Sequence, residues 1–325
     1  MPKSSLISKE ELKNLYEKEK LTTYQVAKRL GFSQATIWKK LKEHKVRSRL
    51  SGIERTSISK EQLKSLYIDK KMSTWKIEKK LKIPRSTIHR KLKEFGLKVR
   101  DRADSHIIYE RKDFSGNLLE KAYLIGFRIG DLGVRKIYPN SKTICVASGS
   151  TIKEQIDLIK NLFVGYGKVW VKKTKNGKIN VQVFLNESFE FLLNKEFPSW
   201  TEKNKSLFFS FLAGFTDAEG AIRLNNKMAY YSLGNYDSKT LYLIYKNLNK
   251  YKIKCKEPTS DKRKGKLNNQ GYPYRSNYWS FRIHDKENLL KLLMAIKPYA
   301  KHPNKIKDLN KAVENINQRN TKYGK

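Results

Sequence analysis

The chain has 325 residues, of which 70 are Lys or Arg and 31 are Asp or Glu, so its formal net charge at pH 7 is +39. Hydrophobic residues make up 38% and aromatic residues 11% of the chain, which argues against a disordered protein and indicates two or three folded domains. The two cysteines, Cys145 and Cys255, form no CxxC pair, which excludes a disulfide-rich scaffold and a zinc ribbon and favours a reducing compartment.

Basic residues are distributed over the whole chain. Residues 1–104 carry 29 basic and 12 acidic side chains, and residues 105–325 carry 41 and 19. Nucleic acid is therefore the predicted partner, and a highly charged soluble surface is the alternative. The longest apolar run, Leu207–Phe215, is too short to span a bilayer, the first residues lack the apolar core of a signal peptide, and no basic amphipathic stretch indicates membrane binding. The expected location is the cytoplasm, in association with the nucleoid.

The first 100 residues contain a sequence that is repeated at an offset of 51. Ile7–Tyr16 (ISKEELKNLY) matches Ile58–Tyr67 (ISKEQLKSLY). Helical spacing of apolar residues predicts three short helices in each copy, with a tight turn between the last two. Helix, tight turn and helix form the helix-turn-helix pattern. We predict one such unit over residues 6–50 and a second over residues 58–103.

The third helix of each copy, which is predicted to begin at Ser33 or Pro84, would enter the major groove by its N-terminal end. Glutamine and arginine pair with base edges through two hydrogen bonds, whereas lysine more often contacts phosphate. The exposed positions predicted there are Gln34, Ala35, Thr36, Lys39, Arg85, Ser86, His89 and Arg90. We expect DNA contacts from these positions, with protein docking as the alternative role of the units.

A second duplication follows a predicted linker at residues 101–116. One apolar helix is predicted to end at Gly133 after an N-cap at Asn117, and another is predicted over Lys205–Ile222, at an offset of 88. A glycine inside a helix costs about 1 kcal/mol, so close contact between the two helices is the expected compensation. The small residues expected at this helix interface are Gly126, Gly130, Ala213, Gly214 and Ala218.

An acidic residue closes each apolar helix, Asp131 in the first and Glu219 in the second. A carboxylate at a helix C-terminus faces the negative end of the helix dipole, which is unfavourable. Two such carboxylates side by side call for a cation, and a divalent metal shared with scissile phosphates meets that need. The alternative is that both are solvated acids near helix ends. Asp217 is expected to cap a helix or to pack rather than to bind metal.

The second helix contains the segment Leu212–Gly220 (LAGFTDAEG), which resembles the signature of the LAGLIDADG homing endonucleases. Leu124–Asp131 (LIGFRIGD) is a more divergent copy, with Ile129 in place of the earlier acid and Leu132 in place of the final glycine. The resemblance extends from about Asn117 to the C-terminal helix.

The resemblance implies an α+β fold in which two pseudo-symmetric αββαββα halves, at residues 117–200 and 201–315, form a β-saddle over double-stranded DNA. It implies a monomer with an internal pseudo-dyad that makes a staggered double-strand cut during intron homing. Asp131 and Glu219 would hold Mg²⁺, which would activate water, polarise the phosphorus centre and neutralise the leaving oxygen.

Alternation of apolar and polar residues predicts strands between the helices. The predicted strands are Thr143–Ser148, Lys168–Lys173, Ile179–Leu185, Met228–Leu233, Ile253–Pro258 and Tyr278–His284, and the predicted helices are 151–163, 187–193, 237–249, 285–294 and 303 to about 315. The polar strand residues expected to face the DNA groove are Lys172, Asn180, Gln182 and Arg282. A solvated sheet face is the alternative.

Two further basic segments have candidate roles. The loop from 261 to 277, which contains Arg263, suits phosphate contact and flexibility equally. Lys301, or one lysine of the pair Lys172 and Lys173, is expected near the scissile phosphate, and the sequence does not choose between them.

The favoured function is therefore a metal-dependent, site-specific DNA endonuclease that hydrolyses phosphodiester bonds. Two alternatives keep the same fold: a non-catalytic DNA-binding regulator that acts through its helix-turn-helix units, and a maturase whose partner is intron RNA. Retention of both acids favours the endonuclease over the regulator and does not separate it from the maturase.

Overall fold

The computed structural model describes residues 7–46, 58–100, 107 and 109–323, and the chain divides into two compact units, Met1–Val99 and Arg100–Lys325. Parts of the predicted helix-turn-helix limits, at residues 6, 47–50 and 101–103, lie outside the described residues. No helix in these ranges combines the length and the apolar character needed to cross a bilayer.

The smaller unit contains two copies of a three-helix fold, as the repeat predicts. The helices of the first copy are α1 (Lys9–Lys13, continued by a π-helical turn, Asn14–Lys18), α2 (Thr23–Leu30) and α3 (Gln34–Glu43), and those of the second are α4 (Lys60–Lys64, continued by Ser65–Asp69), α5 (Thr74–Leu81) and α6 (Arg85–Glu94). The hydroxyl groups of Ser8 and Ser59 cap α1 and α4, each accepting a backbone N–H at 3.1 Å.

Each copy has a hydrophobic core of its own. The buried residues of the first core include Leu12, Val26, Ile37 and Leu41, and those of the second include Leu63, Ile77, Ile88 and Leu92. The turn between the last two helices passes through a left-handed residue, Gly31 (φ 73°) in copy one and Lys82 (φ 56°) in copy two. Glycine adopts this conformation without steric cost, and the same turn is therefore less favourable in copy two.

The larger unit contains two successive αβ segments. The first consists of α7 (Leu118–Asp131), β1 (Gly133–Lys136), β2 (Ile144–Ser150), α8 (Lys153–Phe163), β3 (Val169–Lys173) and β4 (Ile179–Leu185), followed by two 3₁₀ helices (Glu187–Leu192 and Ser199–Lys203). The second consists of α9 (Lys205–Glu219), β5 (Ala221–Asn225), β6 (Met228–Asn235), α10 (Ser238–Lys250), β7 (Thr259–Asp261), β8 (Tyr278–Ile283), α11 (Lys286–Ile296) and α12 (Pro303–Tyr323).

The strands form two antiparallel four-stranded sheets with the same topology, ordered β1-β2-β4-β3 and β5-β6-β8-β7. The fold of this unit is therefore α+β. In β4, the side chains of Val181, Val183 and Leu185 are buried, whereas Asn180, the second residue of the strand, is exposed. One face of the sheet therefore packs on the helices and the other faces solvent.

Several predicted elements differ from those observed. The short strands β1 and β5 directly follow α7 and α9, whereas the sequence patterns extended those helices to Gly133 and Ile222. Residues 253–258 form no strand, because Ile253 instead completes the end of α10 through a hydrogen bond to Leu248 (2.9 Å). Residues 187–192 form a 3₁₀ helix, and α12 extends well past residue 315.

The linker prediction was wrong for its second part. The guanidinium of Arg111 donates to the Thr143 hydroxyl (2.7 Å) and the Leu185 carbonyl (2.9 Å), and the Lys112 amide donates to the Tyr166 carbonyl (2.9 Å). These bonds attach the segment before α7 to the first sheet. Residues 101–106 and 108 of the predicted linker lie outside the described residues.

Candidate active site

The two apolar helices α7 and α9 pack against each other through reciprocal glycines. A Cβ at Gly126 would overlap the carbonyl oxygen of Phe211 and approach the Phe215 nitrogen to 2.9 Å. A Cβ at Gly214 would overlap the carbonyl oxygen of Tyr123 in the same way. Each glycine therefore accommodates the backbone of the opposite helix, and the paired contacts are separated by the offset of 88 seen in the sequence.

The helices remain close towards their C-terminal ends. A Cβ at Gly130 would overlap the methyl group of Ala218 and lie 2.8 Å from Cγ of Glu219. Ala213 is fully buried within α9. The small residues thus bring the last turn of α7, which carries Asp131, against the last turn of α9, which carries Glu219.

Asp131 and Glu219 are both partly buried and electrostatically coupled. Burial raises the pKa of Asp131 from 3.8 to about 6. Burial, and secondarily the negative charge of Asp131, raises the pKa of Glu219 from 4.5 to about 6. The ammonium of Lys305 acts in the opposite direction on the pKa of each acid. The site therefore holds two mutually repelling carboxylates close to one cation.

Two amide side chains contact the acids. Nε2 of Gln155, a buried residue of α8, donates to Oδ2 of Asp131. Nδ2 of Asn235, at the end of β6, lies 3.5 Å from Oε1 of Glu219. Sequence reasoning missed Gln155, although it carried a signal, since this polar residue occupies the buried stripe of α8 with Ile159 and Leu162.

Lys305, in the first turn of α12, is the lysine that the fold brings to the acids. Its Nζ donates to the carbonyl oxygen of Gly220, directly after Glu219, and burial lowers its pKa. Of the lysines predicted near the phosphate, Lys301 places its Nζ over the ring of Tyr123 at 4.8 Å, and Lys172 and Lys173 are exposed on β3.

Asp217 holds the start of α12 in place. Its Oδ2 accepts hydrogen bonds from the Tyr123 hydroxyl (2.7 Å) and from the backbone amides of Lys301 (2.7 Å) and His302 (3.0 Å). The side chain is buried, which raises its pKa, and its Oδ1 has no hydrogen-bond partner among the residues that the structure describes. As the sequence predicts, Asp217 is a packing residue, and by binding the two amides directly before α12 it sets the position of Lys305.

Arg128, a buried cation in α7 near Asp131, binds backbone carbonyl groups rather than the carboxylate. Its Nε donates to the Leu192 carbonyl (2.8 Å) and its Nη1 to the Leu132 carbonyl. Burial lowers its pKa. Its hydrogen bonds satisfy the carbonyl groups of Leu132, directly after α7, and of Leu192, in the first 3₁₀ helix, so they do not involve Asp131.

The donor set fits a divalent metal that completes its coordination with ligands from outside the chain. Within residues 7–46, 58–100, 107 and 109–323, no group of three or more His, Cys, Asp and Glu side chains could hold a metal by itself. Mg²⁺ is commonly held by one or two carboxylates together with water and substrate phosphates. Asp131 and Glu219, whose charges repel each other, provide such a pair.

The predicted DNA-contacting residues of the sheets occupy solvent-facing positions to different degrees. Lys172 and Asn180 are exposed cross-strand neighbours on β3 and β4. Gln182 is partly buried and donates to Sγ of Cys145 (3.1 Å). Arg282 is exposed between the buried residues of β8, and Arg263 is partly buried and ion-paired with Asp261 at 2.6 Å.

The predicted residues of the helix-turn-helix units lie at the start of α3 and α6. Exposed positions are Gln34, Ala35, Lys39, Arg85, Ser86, His89 and Arg90. Thr36 is partly buried, and its hydroxyl lies 2.8 Å from the hydroxyl of Ser33, the N-cap of α3. Thr36 therefore contributes to helix capping as well as to the surface.

Comparison with protein-family models finds no match, and comparison with curated proteins finds none. Solved structures similar to this chain include mesophilic variants of the homing endonuclease I-DmoI, with 16% identity and a TM-score of 0.39 over 55% of this chain and 95% of theirs. Full-length DUF199/WhiA from Thermatoga maritima shows 17% identity and a TM-score of 0.42 over 64% of this chain and 63% of its own. The homing endonuclease I-WcaI bound to its DNA recognition sequence shows 17% identity and a TM-score of 0.39 over 59% of this chain and 86% of its own. Identities and TM-scores this low assign neither a family nor an activity to the chain.

Proposed function

We propose that the chain is a site-specific, metal-dependent endonuclease that cuts both strands of duplex DNA. The observation that carries this proposal is the pair of coupled carboxylates, Asp131 and Glu219, at the C-terminal ends of two helices held together by glycines. Folding raises the pKa of each acid, so the arrangement is costly for the empty protein. Such a cost is expected of a site that works with a bound cation.

DNA binding is supported by the charge and by the solvent-facing sides of the two sheets. The net charge of +39 favours a polyanionic ligand, and antiparallel strands that present polar side chains are suited to the major groove. In the proposed complex the two sheets form a saddle over the duplex. Lys172, Asn180 and Arg282 are exposed there and would contact bases and phosphates.

In the proposed mechanism, Asp131 and Glu219, at the C-terminal ends of α7 and α9, would hold Mg²⁺. The bound metal would supply Lewis-acid activation of water and charge neutralisation at the phosphate. Gln155 keeps the Asp131 carboxylate oriented through its hydrogen bond to Oδ2. The ammonium of Lys305 lies where it can stabilise negative charge that develops on the phosphate oxygens.

Cleavage of a plasmid library with random inserts tests the proposal. In Mg²⁺ the protein should convert a subset of plasmids to linear DNA, and EDTA should abolish the product. Asp131→Asn and Glu219→Gln should each lower the cleavage rate by at least about 100-fold while leaving DNA affinity within a few-fold, because each removes a metal ligand without adding charge repulsion. Glu287→Gln is the matched control, since this acid is exposed on α11 in an ion pair with Lys291.

Specific binding without linear product, or full activity in both acid variants, would contradict the endonuclease. The first result would favour the second candidate function, a non-catalytic DNA-binding regulator. The observation in its favour is that the smaller unit contains two three-helix folds, each with its own core and with exposed polar residues on the third helix.

A further inference from the structure

The first residue of the third helix differs between the two helix-turn-helix copies. Gln34 begins α3 and Arg85 begins α6, at equivalent positions related by the repeat offset of 51. The N-terminal end of this helix is the part that approaches base edges in the major groove. From the hydrogen bonds that orient these two side chains, and resting on the DNA binding proposed above, we infer that copy one reads an adenine through Gln34 and copy two reads a guanine through Arg85.

Gln34 is held in an orientation that leaves an adenine-complementary edge free. Its Nε2 donates to Oγ1 of Thr23, the first residue of α2, at 2.9 Å. A side-chain amide has two N–H donors and one carbonyl oxygen, so this bond leaves one N–H and the oxygen. When the bond to Thr23 uses the N–H anti to Oε1, the remaining N–H and the oxygen lie side by side and match the N7 acceptor and the N6 amino donor that adenine presents in the major groove.

Arg85 is held in an orientation that leaves a guanine-complementary edge free. Its Nε lies 3.0 Å from Oε2 of Glu78, and its backbone nitrogen donates to Oε1 of the same carboxylate at 3.3 Å. The bond at Nε leaves the two terminal amino groups of the guanidinium available. These form the fork that pairs with O6 and N7 of guanine.

Copy two has an orienting carboxylate that copy one lacks, whereas the threonine that contacts Gln34 is present in both copies, as Thr23 and Thr74. The position of copy one that is equivalent to Glu78 is Ala27, which is buried and cannot orient an arginine. The Arg85 side chain is 59% exposed and that of Glu78 is 34% exposed. Exposed ion pairs contribute little to stability, so the expected effect of this pair is to bias the direction of the guanidinium rather than to hold the fold.

Selection of binding sites from random duplex DNA tests the inference with the full-length protein, in EDTA so that no cleavage can occur. Wild-type protein should select sites that contain a required adenine and a required guanine at separate positions. Arg85→Gln should lose the guanine preference and keep the adenine preference, and Gln34→Arg should lose the adenine preference alone. Discrimination at the affected position should fall roughly ten- to hundred-fold.

Three further variants distinguish a loss of base recognition from a loss of folding and from a loss of positive charge. Arg85→Lys keeps the charge but removes the fork, and Glu78→Gln removes the orienting carboxylate, so both should weaken guanine discrimination while circular dichroism stays unchanged. Lys39→Ala should weaken binding to all sequences alike. Three results would overturn the inference. Arg85→Gln could keep the wild-type base preferences, Arg85→Gln and Gln34→Arg could lose the preference for the same base, or the wild-type protein could show no sequence preference. The readout does not depend on DNA cleavage, so a protein that binds without cutting leaves it testable.

Discussion

Asp131 and Glu219 lie in an environment that favours their protonated forms. Folding raises the pKa of Asp131 from 3.8 to about 6 and that of Glu219 from 4.5 to about 6, chiefly through burial. The folded state therefore binds these protons more tightly than the unfolded state does. Their contribution to the free energy of unfolding is therefore greatest below about pH 4 and decreases as the pH rises to about 6. At neutral pH both groups are ionised, and the contribution is at its lowest.

Asp131→Asn should consequently stabilise the metal-free protein. At pH 7.5 in EDTA, removal of the charge should raise the free energy of unfolding by about 1 kcal/mol after allowance for solvent screening, or the melting temperature by about 2–4 °C. Calorimetry measures the change, and the gain should shrink at pH 4.5, where the wild-type carboxyl is protonated.

Glu287→Gln, on the surface of α11, provides the control and should change the melting temperature very little. A lower melting temperature in Asp131→Asn than in the wild type at pH 7.5 would show that the carboxylate stabilises the fold. The negative charge of the acid pair would then not destabilise the folded protein.

The acids and the small residues of α7 and α9 were predictable because they belong to continuous motifs. Lys305 was not, because its proximity to Glu219 depends on how Asp217 positions the start of α12, 84 residues away in sequence. Gln155 is intermediate, since its place on an apolar helix face was visible but its partner Asp131 was not. Local patterns identify the helices that carry a site, whereas packing decides which distant side chains complete it.

At the scale of elements, the same distinction explains the strands that were missed. The strand β5 begins two residues after α9 ends, so the apolar residues of its first positions continue the helical pattern. Pairing with β6, from Ala221 opposite Ser232 to Asn225 opposite Met228, determines the strand. Such pairing is not encoded in a five-residue window, whereas β4, with seven alternating residues, was predicted with its observed limits.

The contact between α7 and α9 should tolerate no side chain at its two central glycines. Gly126→Ala would place a methyl group onto the Phe211 carbonyl and near the Phe215 nitrogen, both of which are backbone atoms that cannot rotate away. The expected loss is about 3 kcal/mol or more in the free energy of unfolding, measured by urea denaturation of the full chain.

Gly165→Ala is the matched control because a Cβ at Gly165 meets no atom within 4 Å. This variant should change the free energy of unfolding by about 0.5 kcal/mol or less. Equal stability of Gly126→Ala and Gly165→Ala would mean that the two helices are not in the close contact described above.

At the scale of the whole molecule, a net charge of +39 makes association with DNA sensitive to salt. The logarithm of the association constant should fall with the logarithm of salt concentration, with a slope of about −0.9 for each phosphate contacted. If the solvent-facing side of the second sheet binds DNA, Arg282→Gln should reduce the magnitude of the slope by about one, as measured by fluorescence anisotropy over a salt series.

Lys291→Gln gives the comparison for this measurement. Lys291 is ion-paired with Glu287 on α11, which packs on the opposite side of the sheet from Arg282, so its removal should leave the slope unchanged. Equal effects of the two substitutions would indicate that DNA is held by total charge rather than by a defined face.

The contact of Lys305 with the residue directly after α9 has a consequence for the rates of the proposed cleavage. The double-strand cut proposed above would break two phosphodiesters, whereas α12 follows only the second αβ segment, and Ile129 in α7 stands where Asp217 anchors α12 in α9. If the two phosphates of the proposed cut lie at different distances from this single ammonium, the two strands would be hydrolysed at different rates. Supercoiled DNA should pass through an open-circular species, whose lifetime reports the difference between the two rates.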